Sequence, residues 1–242
     1  MSSYNSLAGW YDRLTEDVNY ESFADYYESK FGLCGQNIKL VLDLCCGTGT
    51  LSFLMAERGY EMIAVDASPD MLMEAQGKAA SYDNTPLFIC QAAEDLDLYG
   101  TVDAAFSSLD SLNYIPPDSI DEVFRRLSLF VRPGGILIFD VRKDDWLKDM
   151  DGYISIDEDD DVFCVWRADY SIEESCLTYG VDLFVRNGRT WERSQEEHME
   201  YPYSGGDIER LLSNHGFRLL SAESDVTAFG PGRVIYTALR EK

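Results

Sequence analysis

The chain has 242 residues, of which 45% are hydrophobic and 13% aromatic, a composition that excludes a disordered protein and fits one α/β domain carrying an insertion. Its formal charge of −24 makes a nucleic-acid polyanion an unfavourable partner, because phosphate contacts need clustered Lys and Arg and no basic stripe is visible. No apolar run reaches the length of a membrane span, and the first residues lack a basic region followed by an apolar core, so neither a membrane anchor nor a secretory leader is expected.

Residues 1–37 are rich in aromatics: Tyr4, Trp10, Tyr11, Tyr20, Phe23, Tyr26, Tyr27 and Phe31. The last four have helical spacing, which predicts a helix packed on the core. A short apolar run, Leu40 to Leu44, then stops at a loop containing Gly47 and Gly49. An amphipathic helix follows, with Leu51, Leu54 and Met55 on one face and Gly59 as its cap. The next strand, Glu61–Asp66, ends on an acid. Strand, glycine turn, helix, strand and terminal acid describe a nucleotide-binding βαβ unit, in which Asp66 accepts hydrogen bonds from ribose hydroxyls. Two features separate it from the dinucleotide fingerprint. The third glycine is replaced by Ser52, and Asp43 closes the first strand, where its carboxylate would repel a pyrophosphate but suit an ammonium group. A ribose and an α-amino group are both present in S-adenosylmethionine.

Ser68-Pro69 reads as an N-cap and first-turn proline, opening a helix with Met71, Leu72 and Ala75. Leu87–Cys90 and Val102–Ser107 read as strands. Ser119 to Glu122 reads as a capping box for a helix burying Ile120, Val123, Phe124 and Leu127. Pro133-Gly134-Gly135 is expected to turn the chain into strand Ile136–Val141. Near residue 150 the rhythm changes: 162–170 and 177–186 read as strands, and Asn187-Gly188 signals a type I′ hairpin into Arg189–Tyr201. A helix through Ile208, Leu211 and Leu212, ended by Gly216, and strands Phe217–Ser221 and Arg233–Leu239 close the chain. The acidic run Asp157–Asp161 lacks the alternating ligands and glycine of a calcium loop and is expected to be a solvated turn. The six cysteines (34, 45, 46, 90, 164, 176) have no metal spacing and are expected to be reduced and buried in a cytoplasmic protein. No metal site is expected.

The segment Asp43-Leu-Cys-Cys-Gly-Thr-Gly49, together with Asp66, resembles motif I of the class I S-adenosylmethionine-dependent methyltransferases. Trp10-Tyr11-Asp12 followed by Asn19-Tyr20 resembles the N-terminal segment of their small-molecule and uncharacterised branch. The resemblance covers residues 4–142 and, more loosely, 198–240. It implies a Rossmann-like seven-stranded sandwich built from 38–149 and 202–242, an N-terminal helical lid over 1–37, and an antiparallel β insertion, 150–201, on the acceptor side. It implies S-adenosylmethionine as cofactor and a cofactor-binding set of Tyr11, Tyr20, Asp43, Cys45, Gly47, Gly49, Asp66, Ala67, Met71, Ala93, Glu94, Ser108 and Leu109.

Several members of that set carry two readings. Tyr11 and Tyr20 either lid the cofactor or pack on the core. Met71 either covers an adenine face or packs its helix. The position after the third strand where an acid would hold the adenine amino group is Ala92, leaving Glu94 or the backbone to do so. The loop Ser107 to Tyr114 lacks the Asp/Asn-Pro-Pro-aromatic signature of nucleic-acid and protein amino-methyltransferases. Asn113 in that loop either positions substrate or caps backbone. His198 either takes a proton from an attacking oxygen or nitrogen or makes a structural hydrogen bond. The aromatics Tyr170, Tyr179, Trp191, Tyr201 and Tyr203 of the insertion are expected to wall the acceptor or to fill a second small core. The implied reaction is in-line methyl transfer to nitrogen or oxygen of a small molecule. An RNA methyltransferase working with a partner, a cofactor-binding module without turnover and a nicotinamide-dependent oxidoreductase are the alternatives.

Overall fold

The computed structural model describes residues 7–224 and 226–241; Tyr4 lies outside them. Two helices, α1 (Ala8–Leu14) and α2 (Tyr20–Phe31), precede β1 (Leu40–Leu44), α3 (Thr50–Glu57), β2 (Glu61–Asp66), α4 (Pro69–Lys78) and β3 (Leu87–Cys90). The chain continues through β4 (Val102–Ser107), α5 (Ile120–Phe130), β5 (Val131–Arg142) and α6 (Asp144–Asp149). Four strands follow, β6 (Tyr153–Glu158), β7 (Val162–Ser171), β8 (Cys176–Asn187) and β9 (Thr190–Glu200). Then come α7 (Gly205–Asn214), β10 (Phe217–Ser224) and β11 (Arg233–Arg240).

Seven strands form one sheet in the order β10-β11-β5-β4-β1-β2-β3, parallel from β3 to β5 and antiparallel at β11. The central strands are nearly continuous apolar runs because helices cover both faces. Leu42, Leu44, Ala105, Leu137 and Phe139 meet α5 and α7 on one face, while Val41, Ala104, Phe106, Ile136 and Ile138 meet α2 and α3 on the other. Phe23, Tyr27 and Phe31 of α2 are buried in that second layer. The order of strands reverses between β1 and β4, so the crevice for a ligand opens where the loops after those two strands diverge.

Some local expectations need correction. Ser119 has helical backbone (φ −107°, ψ −22°) and makes no side-chain cap, and Glu122 pairs with Arg125 and Arg126; the capping box that forms is Ser204 with Asp207. Pro133-Gly134-Gly135 does not precede the strand but lies within β5, where the register against β4 slips. A Cβ on Gly135 would lie 2.7 Å from the Asp103 carbonyl oxygen, so the two backbones meet there only because the residue is glycine. The antiparallel sheet has four strands, β6-β7-β8-β9, and Asp157 and Glu158 belong to β6, not to a turn. In the β8–β9 hairpin Asn187 pairs with Thr190, leaving Gly188-Arg189 as the loop, with Gly188 left-handed at φ 61° as a type II′ turn requires. Among the cysteines Cys164 and Cys176 are buried, Cys90 is exposed, and the others are half-buried.

Gly49 shows how tightly the first loop is fitted. Its φ is +74°, and a Cβ there would come within 2.8 Å of the Phe88 ring. Gly49→Ala is expected to destabilise the fold by about 1–3 kcal/mol through backbone strain and overpacking, read as a lower urea midpoint at unchanged slope.

Candidate active site

The loop after β1 alternates left-handed residues: Cys45 at φ 62°, Gly47 at 56° and Gly49 at 74°. Cys46 N–H donates to the Val65 carbonyl and Gly47 N–H donates to Asp66 Oδ2 at 2.8 Å, while Ser68 N–H donates to Asp66 Oδ1 at 2.8 Å. Asp66 therefore clamps the glycine loop to the start of α4. Burial raises its pKa, and the two amides oppose the rise. Gly49 backs onto Phe88 and Ala75, but a Cβ on Gly47 would meet nothing within 4 Å. The loop is packed on one side and open on the other.

On the open side lies a cavity of about 50 Å3 lined by Tyr11, Tyr20, Asp43, Cys45, Gly47, Ser108 and Leu109, with Cys46, Thr48, Thr50, Leu51 and Ser111. Seven of the thirteen nominated cofactor residues thus meet there. Asp43 is buried and accepts a hydrogen bond from Ser52 Oγ. Loss of solvent pushes its carboxyl up to about 7, against the pull of Ser52. Ser108 Oγ shares a buried 2.7 Å hydrogen bond with Tyr27.

The remaining nominated residues stand outside the lining. Gly49 is the spacer behind the loop, and Asp66 is its clamp. Met71 is buried in α4, its N–H held by the cap Ser68, and Ala93 belongs to the main core. Ala67 is exposed. Glu94, in the 3-10 turn Ala93–Asp95, lies within electrostatic reach of Cys45.

The acid of the Trp10-Tyr11-Asp12 segment, assigned no separate role from sequence, fixes α1 beside this cavity. Asp12 accepts hydrogen bonds from the hydroxyls of Thr48 and Thr50 and from Lys78 Nζ. The opposite flank of α1 is apolar. Leu7, Trp10, Tyr11 and Leu14 pack on Val162, Cys164, Val181 and Leu183 of β7 and β8. The helix is a wedge between the glycine loop and the antiparallel sheet.

Beyond the wedge a cavity of about 760 Å3 opens, and Tyr11 and Leu109 line both spaces. The loop between them is strained: Leu109 (φ 57°) and Asp110 (φ 52°) are consecutive non-glycine residues in the left-handed region. A buried charge network holds it. Asp110 N–H donates to Asp140 Oδ2 at 2.8 Å, and the Asp110 carboxylate pairs with Arg142 (3.0 Å) and Arg233 (2.7 Å). Arg233 also reaches Asp140 at 2.7 Å. Burial raises the Asp140 pKa, and Arg233 opposes the rise. Glu200, at the end of β9, accepts a hydrogen bond from the Tyr114 hydroxyl at 3.1 Å. Burial and the neighbouring Asp110 push its carboxyl up to about 7, against Tyr114 and the two arginines.

The two catalytic nominees fare differently. Asn113 lines neither cavity: its Oδ1 accepts from Arg142 N–H and its Nδ2 donates to the Tyr201 carbonyl, both at 2.9 Å, so it braces β5 against the end of β9. His198 is buried, lines the large cavity and stands 3.6 Å from Glu196. Of the five insertion aromatics only Tyr179 lines the cavity; Tyr170 packs on Leu147 and Leu177, Tyr201 and Tyr203 join the main core, and Trp191 is exposed. Trp166, stacked on Tyr179, and Tyr153 were not anticipated. The missed charges had a signal, since Asp140 and Arg233 sit within buried strand runs where an unpaired charge is costly.

Arg233→Met leaves Asp110 and Asp140 with one cation fewer and is expected to cost about 3–5 kcal/mol of folding stability, part of it regained when Asp140→Asn is added. Denaturant titration of the single and double variants checks this. The raised carboxyls of Asp43 and Glu200 fix the pH dependence. Between their ordinary values of 3.8 and 4.5 and about 7, the folded chain keeps protons that the unfolded chain releases. Stability of the free protein is expected to fall as pH rises through that window, and Asp43→Asn should flatten the slope of melting temperature against pH.

The chain was compared with known proteins. A methyltransferase-domain family profile matches residues 41–135. The Bacillus subtilis (strain 168) protein YqeM, whose name assigns it methyltransferase activity provisionally, is 30% identical, the match covering 99% of this chain and 98% of YqeM. A crystal structure of an S-adenosylmethionine-dependent methyltransferase from Clostridium acetobutylicum is 29% identical with a TM-score of 0.86, covering 99% of both chains. The sugar N-methyltransferase KedS8 from a Streptoalloteichus species shares the fold, at 18% identity and a TM-score of 0.80, over 96% of this chain and 93% of its own. Sheet order, glycine loop and these likenesses agree: the chain belongs to the class I S-adenosylmethionine-dependent methyltransferases, enzymes with S-adenosylmethionine as cofactor.

Proposed function

We propose that the enzyme methylates a nitrogen or oxygen of a small-molecule acceptor held in the 760 Å3 cavity. The observation that carries this reading is the shared wall: Tyr11 and Leu109 line both the large cavity and the small one beside the glycine loop. The residues fit the cofactor. Gly47 is open where a ligand must approach the backbone, and the buried Asp43 carboxylate gains a partner if an ammonium group faces it. Asp66, already oriented by two amides, retains lone pairs for ribose hydroxyls. Tyr11, Tyr20 and the Asp12-anchored α1 act as the lid.

The bound cofactor supplies an electrophilic methyl group on a sulfonium. The chain's task is then alignment and exclusion of water for an in-line displacement. The strained turn at Leu109 and Asp110, pinned by Arg233 and Asp140, fixes the wall across which the acceptor approaches. The antiparallel sheet supplies the far wall with Tyr153, Trp166, Tyr179 and His198. A concave site of this size suits a small acceptor, and the acidic chain repels RNA phosphates.

The test is a partition of label. Incubated with methyl-labelled cofactor and either a low-mass cell extract or purified RNA, the enzyme is expected to label a compound in the low-mass fraction. Asp66→Asn should weaken cofactor binding by about 1–3 kcal/mol and lower labelling at limiting cofactor. Label appearing only in RNA would overturn the small-molecule reading.

A further inference from the structure

Resting on the small-molecule reading, we propose that Glu200 receives the acceptor's amino group and takes up its proton, so that the acceptor is a small amine and the product its N-methyl derivative. Glu200 lines the large cavity. Tyr114 occupies Oε1, and none of the described residues bonds Oε2. The groups facing it are Asp110, Tyr114, Arg142 and Arg233, with Tyr179 across the sheet and His198 on its own strand.

Charge counting around this carboxylate gives the chemistry. Among the described residues Asp110, Asp140 and Glu200 share one network with two cations, Arg142 and Arg233; both arginines are committed to Asp110, Arg233 also to Asp140. With all five groups ionised the cluster is one positive charge short. An acceptor ammonium beside Glu200 supplies it. The rest of the cavity points the same way, since outside that network five carboxylates line it against one arginine, Arg13. Trp166 and Tyr179 add aromatic faces that attract a cation. An anionic or phosphorylated acceptor would meet net repulsion from this excess of carboxylates.

The proton accounting closes. An acceptor entering as an ammonium gives one proton to Glu200, which burial already predisposes to hold one. The freed nitrogen lone pair forms the new N–C bond as the C–S bond breaks with its electrons left on sulfur. The product leaves as a methylammonium, and Glu200 returns its proton to water in the open cavity.

Matched probes test this on the intact enzyme. Benzylamine and benzyl alcohol, and glucosamine and glucose, are compared for binding by calorimetry with S-adenosylhomocysteine present, and for S-adenosylhomocysteine release with the methyl donor. At least one amine is expected to bind and turn over in preference to its alcohol. Glu200→Gln is expected to weaken that amine about tenfold or more, to change its alcohol little, and to leave S-adenosylhomocysteine affinity unchanged. Preference for an alcohol would overturn the Glu200 assignment while leaving small-molecule methylation standing. Unchanged amine affinity in Glu200→Gln, or no amine binding to the intact enzyme, would also overturn it.

Discussion

Arg233 is the cation on which the walls of the large cavity depend. It is almost wholly buried on β11 and neutralises two carboxylates from different elements, Asp110 after β4 and Asp140 on β5. A buried ion pair adds little net stability over an apolar replacement, but removing one partner strands a charge in the interior. Arg233 therefore does more to impose geometry than to add stability. It ties two neighbouring strands, β11 and β5, to the turn after β4, whose left-handed Leu109 and Asp110 the chain would otherwise relax. Leu109 of that turn lines both cavities.

The cofactor side rests on a different device. There the backbone itself is shaped by alternating left-handed residues, and Asp66 holds the loop through amide hydrogens instead of through a cation. Asp43 is left buried with Ser52 as its hydrogen-bonding side chain among the described residues, which makes it a carboxylate in need of a positive partner. Glu200 is the same kind of group in the large cavity. Two buried acids, each short of a cation, face the two spaces that meet at Tyr11 and Leu109. The wedge helix α1 connects them mechanically, through Asp12 to the glycine loop and through Leu7 and Trp10 to the antiparallel sheet.

The α/β half was readable from the chain because its signals are local. Leu40–Leu44, Glu61–Asp66 and Val102–Ser107 are bounded by glycines, caps and acids at the residues where the strands end. The insertion was less so. Strand β6 escaped notice because it is a sheet edge: Ile154 and Ile156 are exposed, and its alternation with Ser155 and Asp157 has no buried face to explain it. The Ser119 box does not form: Ser119 itself has helical backbone, and two arginines one turn later hold Glu122. Glu200 and Arg233 were invisible as a site because their partners lie far away in sequence, and only the sheet order brings them together. Asn113 was nominated as a loop asparagine, yet its amide is spent on two backbone groups.

The account turns on where the reactive end of the cofactor lies. A crystal structure with S-adenosylhomocysteine bound measures this directly. The sulfur should lie at the junction lined by Tyr11 and Leu109, facing the cavity that contains Glu200, with the amino group toward Asp43 and the ribose hydroxyls on Asp66. A sulfur pointing away from that cavity, or separated from it by a closed wall at Leu109, would contradict the account.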